Sequence, residues 1–67
     1  MTSIYDIQQV LKKFGTFIYT GDRLADLELM HDELVELYHA QLIEKQLFDS
    51  SILVLKQEMQ RVKGKSK

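Results

Sequence analysis

A chain of 67 residues with no cysteine, no proline and a net charge of −1 has room for one small domain, and neither a disulfide framework nor a thiolate zinc site can reinforce its core. The longest strictly apolar run, residues 52–55, falls far short of the roughly 20 residues that span a bilayer, and no basic region leads into an apolar stretch at the N-terminus. No membrane partner and no secretory leader are expected, which points to a cytoplasmic protein.

Ser3 followed three residues later by Asp6 resembles a capping box, in which the hydroxyl accepts a first-turn N–H. Ile4, Ile7, Val10, Leu11 and Phe14 then recur at helical spacing, and Gly15 suits the left-handed residue that closes a helix. Helix 1 is predicted over 4–14. Residues 16–20 (TFIYT) are predicted to be extended, because β-branched and aromatic side chains crowd a helix and alternate well along an extended segment. A bare three-helix bundle does not require Phe17, Ile18 and Tyr19 in a connection, so they are expected either to cover the core or to present rings to a ligand. Gly21 permits a turn, and Asp22 can cap the next helix.

From Arg23 to about residue 40, Leu27, Met30, Leu34, Leu37 and Tyr38 fall on one helical face. A short connection through Gln41, Leu42 and Ile43 leads to a third helix over about 45–62, with Leu47, Phe48, Ile52, Leu55, Met59 and Val62 inward. A link this short makes helices 2 and 3 antiparallel neighbours. Ser51, among those inward positions, is expected to let the helices approach closely. Gly64 is expected to end the order, giving a single domain over 1–63 and a disordered basic tail over 64–67. The fold class is therefore all-α, a small three-helix bundle with an extended aromatic insert between helices 1 and 2.

The stretch FGTFIYTGDR over 14–23, ELMHDELVELY over 28–38, and the later LIEKQLF and ILVLKQE together resemble the YqgQ family of small uncharacterised cytosolic proteins of low-GC Gram-positive bacteria. The similarity covers about residues 4–60. It implies a three-helix bundle without known enzymatic activity, with a suggested role in binding single-stranded nucleic acid, and it makes Tyr19, Gly21, Asp22 and Arg23 the matching positions. The second half of the chain also resembles the short C-terminal hairpin domain called SHOCT, although Gln41 stands where that pattern carries glycine.

Charge is divided unevenly along the chain. Residues 22–44 hold seven acids and one base, while residues 45–67 hold six bases and two acids. Glu28, Asp32 and Glu36 follow one another at i, i+4 spacing, where like charges oppose a helix by roughly 0.2–0.5 kcal/mol per pair. This is read as a solvated face. Leu29 within it, and Leu53 on the outer side of helix 3, are candidates for a protein partner or a second copy of the chain.

Single-stranded nucleic acid is held by cations that meet phosphates and by rings on which bases stack. The candidates for that contact are Lys12, Lys13, Phe17, Tyr19 and Arg23, joined by Lys56, Arg61, Lys63, Lys65 and Lys67 if the bases gather on one side. The competing expectation for Tyr19 is a rim aromatic, and for Arg23 an ion pair with Asp26 or Glu28.

No catalytic, cofactor or metal residues are assigned. His31 and His39 each close a Glu-x-x-His segment, but both segments lie on one helix about 12 Å apart and cannot share an ion within the chain. GTFIYTG lacks the glycine spacing and lysine of a phosphate loop. No nucleophile has a base at a convincing spacing, and an enzyme is not expected. The expected function is a small binding module for single-stranded RNA or DNA; the alternative is a protein adaptor or homo-oligomer.

Overall fold

A computed structural model describes residues 3–65, which form three helices: α1 (Ile4–Lys13), α2 (Arg23–His39) and α3 (Lys45–Lys65). There is no strand among the described residues, so the chain is a small all-α three-helix bundle. α2 and α3 make the tightest pair. They run antiparallel, since the guanidinium of Arg23 at the start of α2 meets Glu58 late in α3 at 3.2 Å, and Tyr38 at the other end of α2 stacks on Phe48 with ring centroids 4.4 Å apart.

Local chemistry sets each boundary. The N–H of Asp6 donates to Ser3 Oγ at 3.2 Å and the N–H of Ser3 donates to Asp6 Oδ2 at 3.1 Å, completing a capping box. α1 closes in a Schellman turn: the Gly15 N–H bonds the Lys12 carbonyl, the Thr16 N–H bonds the Leu11 carbonyl, and Gly15 takes φ +83°. α2 ends in the same way, with Gln41 donating to the Tyr38 carbonyl and Leu42 to the Leu37 carbonyl. Here the left-handed position falls to Gln41, at φ 61°, which carries a Cβ penalty that glycine avoids.

The core consists of Ile7, Leu11, Leu27, Met30, Leu34, Leu37 and Leu55, with Ile4, Ile18, Ile43, Phe48, Ile52, Val54, Met59 and Val62 packed against it. These are mainly the positions marked by the helical period. Ser51 is fully buried among them, and its hydroxyl has no hydrogen-bond partner among the described residues.

Two expectations shift. Phe14 caps α1 instead of continuing it and is 41% exposed, because the Schellman turn at Gly15 swings the chain off the helical register before the ring can join the inner stripe. α3 continues through Gly64 to Lys65, since a glycine within a helix costs only about 1 kcal/mol relative to alanine and does not by itself stop one. Of the expected tail, Gly64 and Lys65 thus belong to the last turn of α3, and Ser66 and Lys67 lie outside the described residues. At the other end of α3, Lys45 donates to Asp49 at 2.9 Å. That hydrogen bond, reinforced by the carboxylate's charge, raises the lysine pKa above its ordinary value. Any contribution of this exposed pair to stability is present below the ordinary lysine pKa and is lost as pH rises through the raised one.

No helix is long and apolar enough to cross a membrane among the described residues.

Candidate functional site

The insert leaves α1 at Gly15 and enters α2 at Asp22, and both ends are fixed. At its start, the Thr16 hydroxyl donates to Glu33 Oε1 of α2 at 3.3 Å. At its end, both the N–H and the hydroxyl of Thr20 donate to Asp26 Oδ1 at 2.7 Å. Asp26 is only 7% exposed, and these two bonds satisfy the Oδ1 oxygen of a carboxylate that would otherwise be buried at considerable cost. The Thr20 hydroxyl oxygen in turn accepts the Asp22 N–H at 3.2 Å, Gly21 turns at φ +90°, and Asp22 caps α2 by accepting from the N–H groups of Leu24 and Ala25. The residues TGD are therefore a turn-and-cap device that anchors the insert to the first turn of α2.

Held in this way, the insert alternates. Ile18 packs into the core, while Phe17 and Tyr19 on either side of it are 83% and 78% exposed. This period of two is that of an extended segment lying over an apolar surface. Of the two fates open to the insert's side chains, Ile18 takes the core and the two rings take the surface.

The rings line a cleft between α1 and the insert with a volume of about 300 Å³. Leu11 and Met30, both buried, supply apolar lining; Lys12, Gln8 and Gln9 come from α1, and Thr16 from the insert. The spacing of 8, 9 and 12 puts these three polar side chains along neighbouring ridges of one helix. A cation, two amides and two exposed rings thus surround an apolar base.

The sequence candidates are only partly gathered here. Lys12, Phe17 and Tyr19 share the cleft. Lys13 is exposed beside Lys12 in the last turn of α1 without lining it. Arg23 is outside the lining and forms an ion pair, with Glu58 of α3 instead of Asp26 or Glu28. Glu58 also binds Arg61 at 3.2 Å, so both guanidinium groups already face a carboxylate. Gln8 and Gln9 on their own carry only the signature of the solvated face of an amphipathic helix, and the insert folding back over α1 makes them part of the cleft wall.

Elsewhere, Glu28, His31, Asp32, Lys56 and Met59 border a more open groove between α2 and α3. His31 Nδ1 lies 3.6 Å from Asp32 Oδ1, and no group of three or more potential metal ligands occurs among the described residues. Leu29 and Leu53 are 44% and 58% exposed.

The latch gives a direct expectation. Asp26→Ala removes the acceptor of both Thr20 bonds; hydrogen bonds to charged groups contribute roughly 1.5–3 kcal/mol net each, and the exposure of Thr20 puts these two at or below the low end. A loss of about 2 kcal/mol in urea denaturation is expected, with increased amide exchange at residues 19–21. A variant as stable as the parent would mean that the latch does not hold the insert.

The YqgQ-like family profile matches residues 1–61. Over 64 residues the chain is 44% identical to the protein called "Uncharacterized protein YqgQ" of Bacillus subtilis (strain 168), a match covering 96% of this chain and 90% of that relative. The chain belongs to the YqgQ-like family.

Proposed function

We propose that this member of the YqgQ-like family is a cytoplasmic, non-catalytic module that binds single-stranded RNA or DNA in the cleft between α1 and the insert. The observation that carries this reading is the exposure of Phe17 and Tyr19 beside Lys12 on an anchored segment. A folded chain gains little by holding two aromatic rings in water, whereas rings in that position give bases a surface on which to stack, worth roughly 1–3 kcal/mol per base. Lys12, with Lys13 next to it, supplies charge for phosphates. Arg23 is not part of the proposed contact, because Glu58 already neutralises it.

The contact is small, and so its salt response is small. Two lysines meeting two phosphates of a single strand give a slope of log K against log salt of about −1.4. Fluorescence anisotropy with a labelled oligonucleotide should return that slope, and the double variant Lys12→Glu, Lys13→Glu should abolish binding at low salt. Binding that ignores salt, or that survives the double charge reversal, would contradict the assignment.

A second reading, a protein adaptor or homo-oligomer, is favoured by the exposed Leu29 and Leu53 on α2 and α3. On this reading Leu53→Asp lowers the molecular mass measured by light scattering. A monomeric parent chain whose mass is unchanged by the substitution would remove the homo-oligomer.

A further inference from the structure

We infer that the contact with a single strand continues beyond the cleft along α1 to Tyr5, whose ring is a further stacking platform; this rests on the nucleic-acid reading above and adds a residue and a length to it.

Helix geometry places Tyr5 on the track. α1 spans Ile4–Lys13, and residues 5, 8, 9 and 12 stand at i, i+3, i+4 and i+7, which is one face of a helix. Gln8, Gln9 and Lys12 of that face wall the cleft. Tyr5 is the next member of the row, one turn beyond the two glutamines on the side away from Lys12. At 1.5 Å per residue it lies about 10.5 Å from Lys12 along the helix axis. That length is roughly three steps of a stacked strand at ~3.4 Å each.

The fold makes little use of this ring. Tyr5 is 67% exposed and makes no hydrogen bond or ring contact among the described residues, while Ile4, Ile7 and Leu11 carry the core side of α1. A single exposed ring is ordinary, but the six aromatic residues of the chain divide by location. Tyr38 and Phe48 stack on each other between α2 and α3. Tyr5, Phe14, Phe17 and Tyr19 are all exposed and all fall within residues 5–19.

Charge favours the same track. The row of Tyr5, Gln8, Gln9 and Lys12 contains no carboxylate. The one acid among residues 1–21 is Asp6, and its Oδ2 already accepts the Ser3 N–H in the capping box. A polyanion drawn to Lys12 and Lys13 therefore meets two uncharged amides and then a ring as it runs toward the start of α1, with no like charge on that row to turn it away.

The test separates the cleft from its extension by strand length. Oligothymidylate and oligouridylate, each of two and of eight nucleotides, are titrated by amide NMR at one low salt concentration into the parent chain, Tyr5→Ala and Tyr5→Phe. A stacked dinucleotide in the cleft falls short of Tyr5, whereas eight nucleotides cover the whole row. Tyr5→Ala should weaken the octamer about fivefold or more, the low end of what one stacked base contributes, and leave the dinucleotide affinity in place. Tyr5→Phe keeps the ring and should bind the octamer as the parent does. A circular dichroism melt unchanged from the parent verifies that each variant is folded. Octamer affinity unaffected by Tyr5→Ala would overturn the extension and leave the cleft standing. Equal loss at both lengths would also overturn it, because Tyr5 would then act on the cleft and not beyond it. An octamer weakened as much by Tyr5→Phe would overturn stacking and make the hydroxyl the contact. Binding of neither length of either polymer to the parent chain would overturn the extension together with the strand reading.

Discussion

Leu34→Ala is expected to destabilise the domain by about 2–5 kcal/mol, the range for truncating a fully buried leucine where the surroundings collapse only partly. Leu34 is completely inaccessible on the central helix and belongs to the one core that joins all three helices. A domain of this size has roughly 3–10 kcal/mol in total, so the substitution removes much or all of the margin. The consequence reaches the cleft, because Leu11 and Met30 are both core residues and cleft lining. Urea denaturation followed by circular dichroism measures the effect. A loss below 1 kcal/mol would mean that the core is not organised around α2.

Most of that core is legible in the sequence because burial on a helix follows the 3.6-residue period, and Ile7, Leu11, Leu27, Met30, Leu34 and Leu37 are placed by it directly. The capping residues Ser3 and Asp22 are equally local signals, and the structure uses both. What escapes the period depends on contacts between segments distant in sequence. Arg23 pairs with Glu58, 35 residues away, whereas local reading offers only its helical neighbours. Asp26 precedes Leu27 on the inner side of α2, and a carboxylate there requires a buried partner; that requirement was a usable signal for the Thr20 latch. Phe14 and Gly64 show the limit of single-residue signals. A helix closes one residue before an apolar side chain that fits its stripe, and another runs through a glycine that resembles a stop. The cleft itself is legible only in part: its rings and Lys12 are visible in the sequence, but the two glutamines acquire meaning only when the insert lies over α1.

The double variant Phe17→Ala, Tyr19→Ala is expected to weaken single-strand binding by the loss of stacking on two rings, roughly 1–3 kcal/mol for each ring in contact with a base. A loss of that size is about fivefold or more per ring, well within what anisotropy resolves. Because both rings are largely in water, folding stability should change by less than about 0.5 kcal/mol for either substitution. This contrast separates a binding role from a structural one. Anisotropy and thermal melting on the same samples provide the two readouts. If the melting temperature falls sharply while affinity holds, the rings serve the fold and the proposed interface is wrong. The opposite pattern, affinity lost with the melt intact, is the one expected of an exposed rim on an anchored insert.

The most direct measurement is an amide NMR titration of the parent chain with short single-stranded RNA and DNA at low and near-physiological salt. The proposed site predicts salt-sensitive shifts confined to Tyr5, Gln8, Gln9, Lys12, Lys13 and residues 16–20, with Arg23 and the α2–α3 groove quiet. Shifts centred on α3, or none with either oligonucleotide at low salt, would contradict it.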